Sequence, residues 1–118
     1  MRTILIVDDH RGFRAQARTL LEAEGCSVVG EASDGRSAIA ASRSLRPDLV
    51  LLDIGLPDID GFDVARSLTE SDTPPLVILI SSRDAAAYGP RIGASGALGF
   101  LSKDDLSGAA IDALVQAR

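Results

Sequence analysis

Five short aliphatic segments, separated by stretches with helical periodicity, constrain the fold of this 118-residue chain more than any other feature. The aliphatic segments are Thr3–Val7, Ser27–Ala32, Leu49–Leu52, Leu76–Ile80 and Leu98–Leu101. Runs of this kind, rich in Ile, Leu and Val, are typical of strands buried on both faces of a parallel sheet. The alternation therefore predicts an α/β fold with a doubly wound, five-stranded parallel sheet and helices on both of its faces.

The stretches between the strands predict the helices. Helical spacing of apolar residues predicts a first helix over Arg11–Glu24, which Gly25 terminates. Further helices are predicted from Gly35 to near Leu45, from Phe62 through Leu68, and over Leu106–Ala117. Gly89-Pro90 interrupts the stretch before the last strand, so we expect a short helix over Asp84–Tyr88 followed by an irregular turn.

Composition narrows the classes of protein to consider. The length fits a single domain over residues 1–118, and 46% apolar residues are enough for a core. A net charge of −5 argues against direct nucleic-acid contact. The lone Cys26 fits a reducing compartment, and no apolar run is long enough to span a membrane. We therefore expect a cytoplasmic domain without membrane contact.

Polar residues stand directly beyond four of the five aliphatic segments. They are Asp8 and Asp9 after the first, Asp53 after the third, Ser81 after the fourth, and Lys103 after the fifth. The carboxyl ends of parallel strands meet at one edge of a sheet, where ligands bind in such folds. Three carboxylates at one place repel one another until a cation enters, and oxygen ligands suit Mg²⁺.

Each of these residues also has an ordinary explanation when it is taken alone. Adjacent aspartates can cap a helix, and an aspartate before Pro57 can start a turn. Ser81 can be loop polarity, and Lys103 can be a solvated strand end. His10 has no Cys or His partner at ligand spacing, which favours a surface histidine. The convergence of all four strand ends favours a site over these separate explanations.

Motifs over the whole chain resemble those of response-regulator receiver domains of two-component signalling. They are "LIVDDH" at the first strand, "LVLLDIGLPDIDG" at the third, "VILISS" at the fourth and "GFLSK" at the fifth. These motifs are most similar to those of receivers that precede helix-turn-helix DNA-binding domains. The resemblance implies a flavodoxin-like sheet with strand order 2-1-3-4-5.

The resemblance also implies the roles of the phosphorylation residues. Asp53 would be the phospho-accepting nucleophile, and Lys103 would pair with the phosphoryl group. Ser81 would bind a phosphoryl oxygen, and Phe100 would be the aromatic residue that turns inward in response. The switched surface would comprise the fourth helix, the fifth strand and the last helix.

A magnesium site is implied by the same resemblance. Asp9 and Asp53 would ligate Mg²⁺ directly, together with the backbone carbonyl of Gly55, while Asp8 would act mostly through bound water. Gly55 offers no side chain to shield an acyl phosphate, so we expect water to reach the phosphoryl group and the modification to decay quickly.

The implied partners are a sensor histidine kinase as phosphodonor, a C-terminal DNA-binding output domain outside this chain, and a second copy in a homodimer. Two alternatives remain in view. A docking module of the same fold is disfavoured because every phosphorylation residue type is present. An aspartyl phosphatase is disfavoured because Gly55 cannot serve as its second acid, so we do not expect an enzyme.

Overall fold

The computed structural model describes residues 2–118 and contains a five-stranded sheet. The strands are β1 Thr3–Val7, β2 Ser27–Ala32, β3 Leu49–Asp53, β4 Leu76–Ser81 and β5 Gly99–Ser102. Their order across the sheet is β2-β1-β3-β4-β5, and every neighbouring pair is parallel. The predicted fold class, strand order and parallel pairing are confirmed.

Two hydrophobic cores lie on opposite faces of the sheet because successive side chains of a strand point to opposite faces. The helices are α1 Arg11–Ala23, α2 Gly35–Leu45, α3 Gly61–Thr69, α4 Arg91–Ala94 and α5 Gly108–Gln116. In β1, Ile4 and Ile6 pack with residues of α1 and α5, whereas Leu5 and Val7 pack with residues of α2 and α3. No helix among residues 2–118 is long and apolar enough to cross a membrane.

Helix α2 begins with two sets of hydrogen bonds that also fix the loop after β3. The Asp34 side chain accepts a hydrogen bond of 2.8 Å from the backbone N–H of Ser37, a capping interaction. The Asp58 carboxylate accepts hydrogen bonds from the backbone N–H groups of Gly35 at 2.7 Å and Arg36 at 3.1 Å. These bonds tie the β3–α3 loop to the start of α2.

The same loop is held at its other end by Gly61, the first residue of α3. Its backbone N–H donates to the carbonyl of Ile54 at 3.2 Å. A Cβ atom on Gly61 would lie 2.6 Å from Ile54 Cα and 2.8 Å from the Asp53 carbonyl oxygen. Only a residue without a side chain allows α3 to approach β3 this closely, and this approach sets the backbone around Asp53.

The prediction for the β4–β5 connection is correct about the interruption and wrong about the helix. Ala85–Ala87 forms only a 3-10 turn, and the four-residue helix α4 follows the Gly89-Pro90 break. Gly89 adopts a φ of +56°, which ends the first turn. Proline lacks an N–H and has a helix-compatible φ, so Pro90 is the residue that precedes and caps α4 instead of extending the first turn.

The start of the last helix is also later than predicted. Helix α5 begins at Gly108 because the Ser107 hydroxyl accepts a hydrogen bond of 3.0 Å from the backbone N–H of Ala110. Before it, Lys103–Asp105 forms a 3-10 turn, and Leu106 enters the α1/α5 core. Strand β5 lies one residue later than predicted.

Replacement of Gly61 by alanine should destabilise the fold by about 1–3 kcal/mol, because the added methyl meets backbone atoms that cannot move aside. The matched control is Gly12→Ala in the first turn of α1, where a Cβ meets nothing within 4 Å. That variant should be neutral or more stable by up to about 1 kcal/mol, since alanine favours helix. Urea unfolding of both variants measures the difference, and equal stabilities would contradict the assignment.

Candidate functional site

The carboxyl ends of four strands meet at one edge of the sheet, as predicted. Asp8 follows β1, Asp53 ends β3, Ser81 ends β4 and Lys103 follows β5. The Nζ atom of Lys103 lies 2.5 Å from Asp8 Oδ2 and 3.7 Å from Asp53 Oδ2. Strands β1 and β3 are neighbours, so their aspartates face the same ammonium group.

Asp8 is the most deeply placed acid of the site, with no exposed surface. Its Oδ1 accepts a hydrogen bond of 2.7 Å from the backbone N–H of His10. Its Oδ2 lies at ion-pair distance from Lys103 Nζ, but the contact lacks hydrogen-bond geometry, so this buried oxygen has no directed donor among the described residues. A buried carboxylate oxygen in this condition can accept a cation or a water molecule bound to one.

Asp9 and His10 complete a cluster on the solvent side of Asp8. The His10 Nδ1 atom lies 3.2 Å from Asp8 Oδ1 and 3.0 Å from Asp9 Oδ1. Ligand atoms of Asp8, Asp9, His10 and Asp53 all lie within 4.8 Å of one another. The three aspartates thus form an acidic group that could hold a divalent cation. The His10 side chain is 73% exposed, in line with the predicted surface histidine, yet it also contacts two of these acids.

The environment of Asp53 favours its protonated form. Burial raises the pKa of Asp53, and repulsion from Asp8 and, less strongly, from Asp9 raises it further. The positive charge of Lys103 and the backbone N–H of Gly55, which donates to Asp53 Oδ1 at 3.2 Å, lower this pKa in part. A bound cation would act in the same direction as Lys103, because it favours the ionised carboxylate.

Lys103 is held in place by a residue that the sequence did not assign to the site. Its ammonium lies 4.6 Å from the centre of the Phe13 ring on α1, a cation–π contact. The lysine side chain is only 16% exposed. No pattern in the sequence pairs residues so far apart along the chain.

Ser81 and Phe100 are joined through a third residue, Tyr88. Ser81 is 5% exposed, and its Oγ forms a hydrogen bond of 2.6 Å with the Tyr88 hydroxyl. It also accepts a hydrogen bond of 3.0 Å from the backbone N–H of Arg83. The Tyr88 ring centre lies 5.9 Å from that of Phe100. The sequence did not assign Tyr88 to the site, because the connection that carries it is irregular.

Gly55 leaves open space beside Asp53. A Cβ atom built on Gly55 would meet nothing within 4 Å. The space around Gly55 is therefore open, which agrees with the expectation that this residue does not shield the Asp53 carboxylate. The assignment of its backbone carbonyl as a metal ligand stays a prediction.

Comparisons with known proteins agree with this fold. The family model of the response regulator receiver domain matches residues 4–115. A Pseudomonas aeruginosa protein described as a transcriptional regulator is 41% identical over 87% of this chain and 50% of its own length. The DNA-binding transcriptional activator EvgA of Escherichia coli is 31% identical over 86% of this chain and 50% of its own length. This chain spans about half the length of the curated relatives it matches.

Solved structures give the same result. A two-component response regulator of the LuxR family from Aurantimonas superposes with a TM-score of 0.89 at 28% identity. The superposition covers 100% of this chain and 87% of that one.

The raised pKa of Asp53 predicts a pH-dependent gain in stability for Asp53→Asn in metal-free buffer. The folded domain binds the Asp53 proton more tightly than the unfolded chain does, so the free energy of unfolding falls as pH rises from the ordinary aspartate range through the raised pKa. At neutral pH the variant should be more stable than the unsubstituted domain. The difference should shrink as pH falls below the ordinary aspartate range. Urea unfolding in EDTA across this range measures it.

Asp58→Asn provides a control of opposite sign. The backbone N–H of Gly35, followed by that of Arg36, lowers the pKa of Asp58. Ionised Asp58 therefore stabilises the fold above the ordinary aspartate range, and this contribution is lost as pH falls through the lowered pKa. Asp58→Asn should be less stable at neutral pH, with a difference that disappears in acid. If both variants shifted in the same direction, the explanation for Asp53 would be wrong.

Proposed function

This chain belongs to the response regulator receiver domain family, and from its site we propose that Asp53 accepts a phosphoryl group. The observation that carries the proposal is the position of Lys103 Nζ, 2.5 Å from Asp8 Oδ2 and 3.7 Å from Asp53 Oδ2. A carboxylate and a phosphoryl group are both anionic, so transfer between them needs positive charge close to the accepting oxygen. Residues 1–118 form the receiver domain in this proposal.

The transfer assigns a role to each of the strand-end residues. An Asp53 carboxylate oxygen forms the new bond to phosphorus, and the bond from phosphorus to the donor breaks, with its electron pair leaving on the donor. Lys103 binds a phosphoryl oxygen and offsets charge as the transfer proceeds. Ser81 donates a hydrogen bond to another phosphoryl oxygen after transfer, and Phe100 moves toward the space beside it.

The acidic group fits a divalent cation, and Mg²⁺ is the ion we assign to it. Asp8, Asp9 and Asp53 would hold the ion, with the backbone carbonyl of Gly55 as a further ligand. Hard carboxylate oxygens that lie within 4.8 Å of one another support this choice. When bound, Mg²⁺ neutralises charge on the carboxylates and on the incoming phosphoryl oxygens.

The phosphodonor in this proposal is the phosphohistidine of a sensor histidine kinase, and the domain is a signalling switch instead of an enzyme. The output surface comprises α4, β5 and α5, and it controls a DNA-binding domain in the remainder of a longer cytoplasmic regulator or a second copy of this chain. The DNA-binding activator among the relatives, which is about twice as long, supports an output domain of this type. Contact with DNA then belongs to that domain, because this one carries a net charge of −5.

Incubation with a small acyl phosphate and Mg²⁺ should add one phosphoryl group to the domain, detected by intact-mass analysis. The adduct should be absent in Asp53→Ala and absent when EDTA replaces Mg²⁺. Asp63→Ala is the matched control, since Asp63 is an exposed aspartate in the first turn of α3. A metal-independent adduct, or one that persists in Asp53→Ala, would overturn the assignment.

Replacement of Gly55 by arginine should lengthen the lifetime of the phosphorylated domain severalfold. The open space beside Gly55 allows water to reach the acyl phosphate, and a long side chain there would exclude part of it. Gly55→Ala is the control, because a single methyl group covers little of the opening. Loss of the adduct is followed by mass analysis after removal of the donor. Equal decay in both variants would show that solvent access past this residue does not limit the lifetime.

A further inference from the structure

Tyr88 occupies a fixed position between β4 and α4, next to the phosphorylation site. Its ring packs against Phe62 at 5.7 Å between centres and against Phe100 at 5.9 Å. Phe62 is itself covered by the Arg91 guanidinium, 4.2 Å from its ring centre. Arg91 in turn donates a hydrogen bond of 2.7 Å to Asp60, the residue that caps α3. Packing on two sides restricts where the Tyr88 hydroxyl can point.

The hydroxyl of Tyr88 forms a hydrogen bond with Ser81, whose side chain is buried. The two oxygen atoms lie 2.6 Å apart, and Ser81 is 5% exposed. A serine hydroxyl has one hydrogen to donate and two lone pairs to accept with. The backbone N–H of Arg83 already uses one lone pair. Among the described residues, Tyr88 and Arg83 are the hydrogen-bond partners of Ser81 Oγ.

This arrangement conflicts with the role that Ser81 has in the proposed function. If Ser81 donates to Tyr88, no hydrogen remains for a phosphoryl oxygen. If Tyr88 donates instead, Ser81 keeps its hydrogen, but two donors of the β4–α4 connection fix the position of its oxygen. In the first case Tyr88 and a phosphoryl oxygen compete for the same Ser81 hydrogen, and in the second Tyr88 restrains the oxygen that carries it.

Resting on the proposed function, we infer that Tyr88 is a positioning residue that restrains Ser81 and competes with the phosphoryl group for its hydroxyl. Phosphorylation of Asp53 draws the Ser81 hydrogen to a charged oxygen, and the bond to Tyr88 breaks. Tyr88 is then released from β4 while it still contacts Phe62 and Phe100. Phosphorylation of Asp53 thereby changes the contacts of the connection that leads into α4.

Tyr88→Phe tests this inference because it removes the hydroxyl and keeps the ring. The probe is beryllofluoride with Mg²⁺, a mimic of the phosphoryl group that binds without a covalent step, and its affinity is measured by calorimetry. Loss of a competing hydrogen bond should tighten binding about two- to tenfold. The matched control is Thr19→Val, which removes a hydroxyl that bonds only within α1, to the Ala15 carbonyl. Binding by that variant should be unchanged.

A second background shows whether the effect passes through Ser81. Ser81→Ala should bind beryllofluoride more weakly than the unsubstituted domain, and the addition of Tyr88→Phe should then change nothing. Unchanged or weaker binding by Tyr88→Phe alone would overturn the inference, as would the same gain in both backgrounds. The proposed function would survive these results, provided that the unsubstituted domain binds the probe and Ser81→Ala weakens it. Failure of the unsubstituted domain to bind would overturn both.

The sequence supplies an independent optical readout. Tyr88 is the one tyrosine of the chain, and there is no tryptophan. Intrinsic tyrosine emission therefore reports on Tyr88 alone. Saturation with beryllofluoride and Mg²⁺ should change this emission as the bond to Ser81 breaks, whereas Mg²⁺ alone should not reproduce the change. Emission that stays constant at saturation would contradict the release of Tyr88.

Discussion

The ion pair between Lys103 and Asp8 is the interaction on which the rest of the site depends. A fully buried carboxylate is costly unless charge of opposite sign lies beside it, and Lys103 Nζ lies 2.5 Å away. The same ammonium lies 3.7 Å from Asp53, so one positive charge offsets two buried acids. The remaining imbalance adds to burial, the larger cause, in raising the pKa of Asp53 despite its cationic neighbour. It also explains why the pocket can accept further positive charge.

The parallel sheet keeps these charges close together because it fixes the backbone that carries the acidic residues. Every residue of β3 is buried, including Asp53 at its end. The loop beyond it is bound to α2 through Asp58 and to α3 through the close approach of Gly61. Rigid strands and an anchored loop prevent the acids from separating to relieve their repulsion, which keeps them close enough to share a cation.

Features that depend on residues close together in the sequence could be predicted, whereas contacts between distant segments could not. The strands and the polar residues that follow them are recognised from consecutive residues of the sequence. Once the strands were predicted to be parallel, Asp8, Asp53 and Lys103 were expected to converge. The contact of Phe13 with Lys103 joins distant segments and carries no local pattern. The position of Tyr88 depends on how Gly89-Pro90 bends the β4–β5 connection, where the short helix expected over Asp84–Tyr88 is only a 3-10 turn and the helix follows the break.

The few aromatic residues of the chain suggest how the added charge of a phosphoryl group leads to a conformational change. Three phenylalanines and one tyrosine are present. Phe13 contacts Lys103, while Phe62, Tyr88 and Phe100 form a cluster joined to Ser81. A neutral hydrogen bond contributes roughly 0.5–1.5 kcal/mol net, and one to a charged acceptor about twice that. In the exchange of partners that we propose for Ser81, the two arrangements would therefore differ by only about 1 kcal/mol, or several-fold in population. A margin of that size lets a single phosphoryl group bias the aromatic cluster without either arrangement becoming locked.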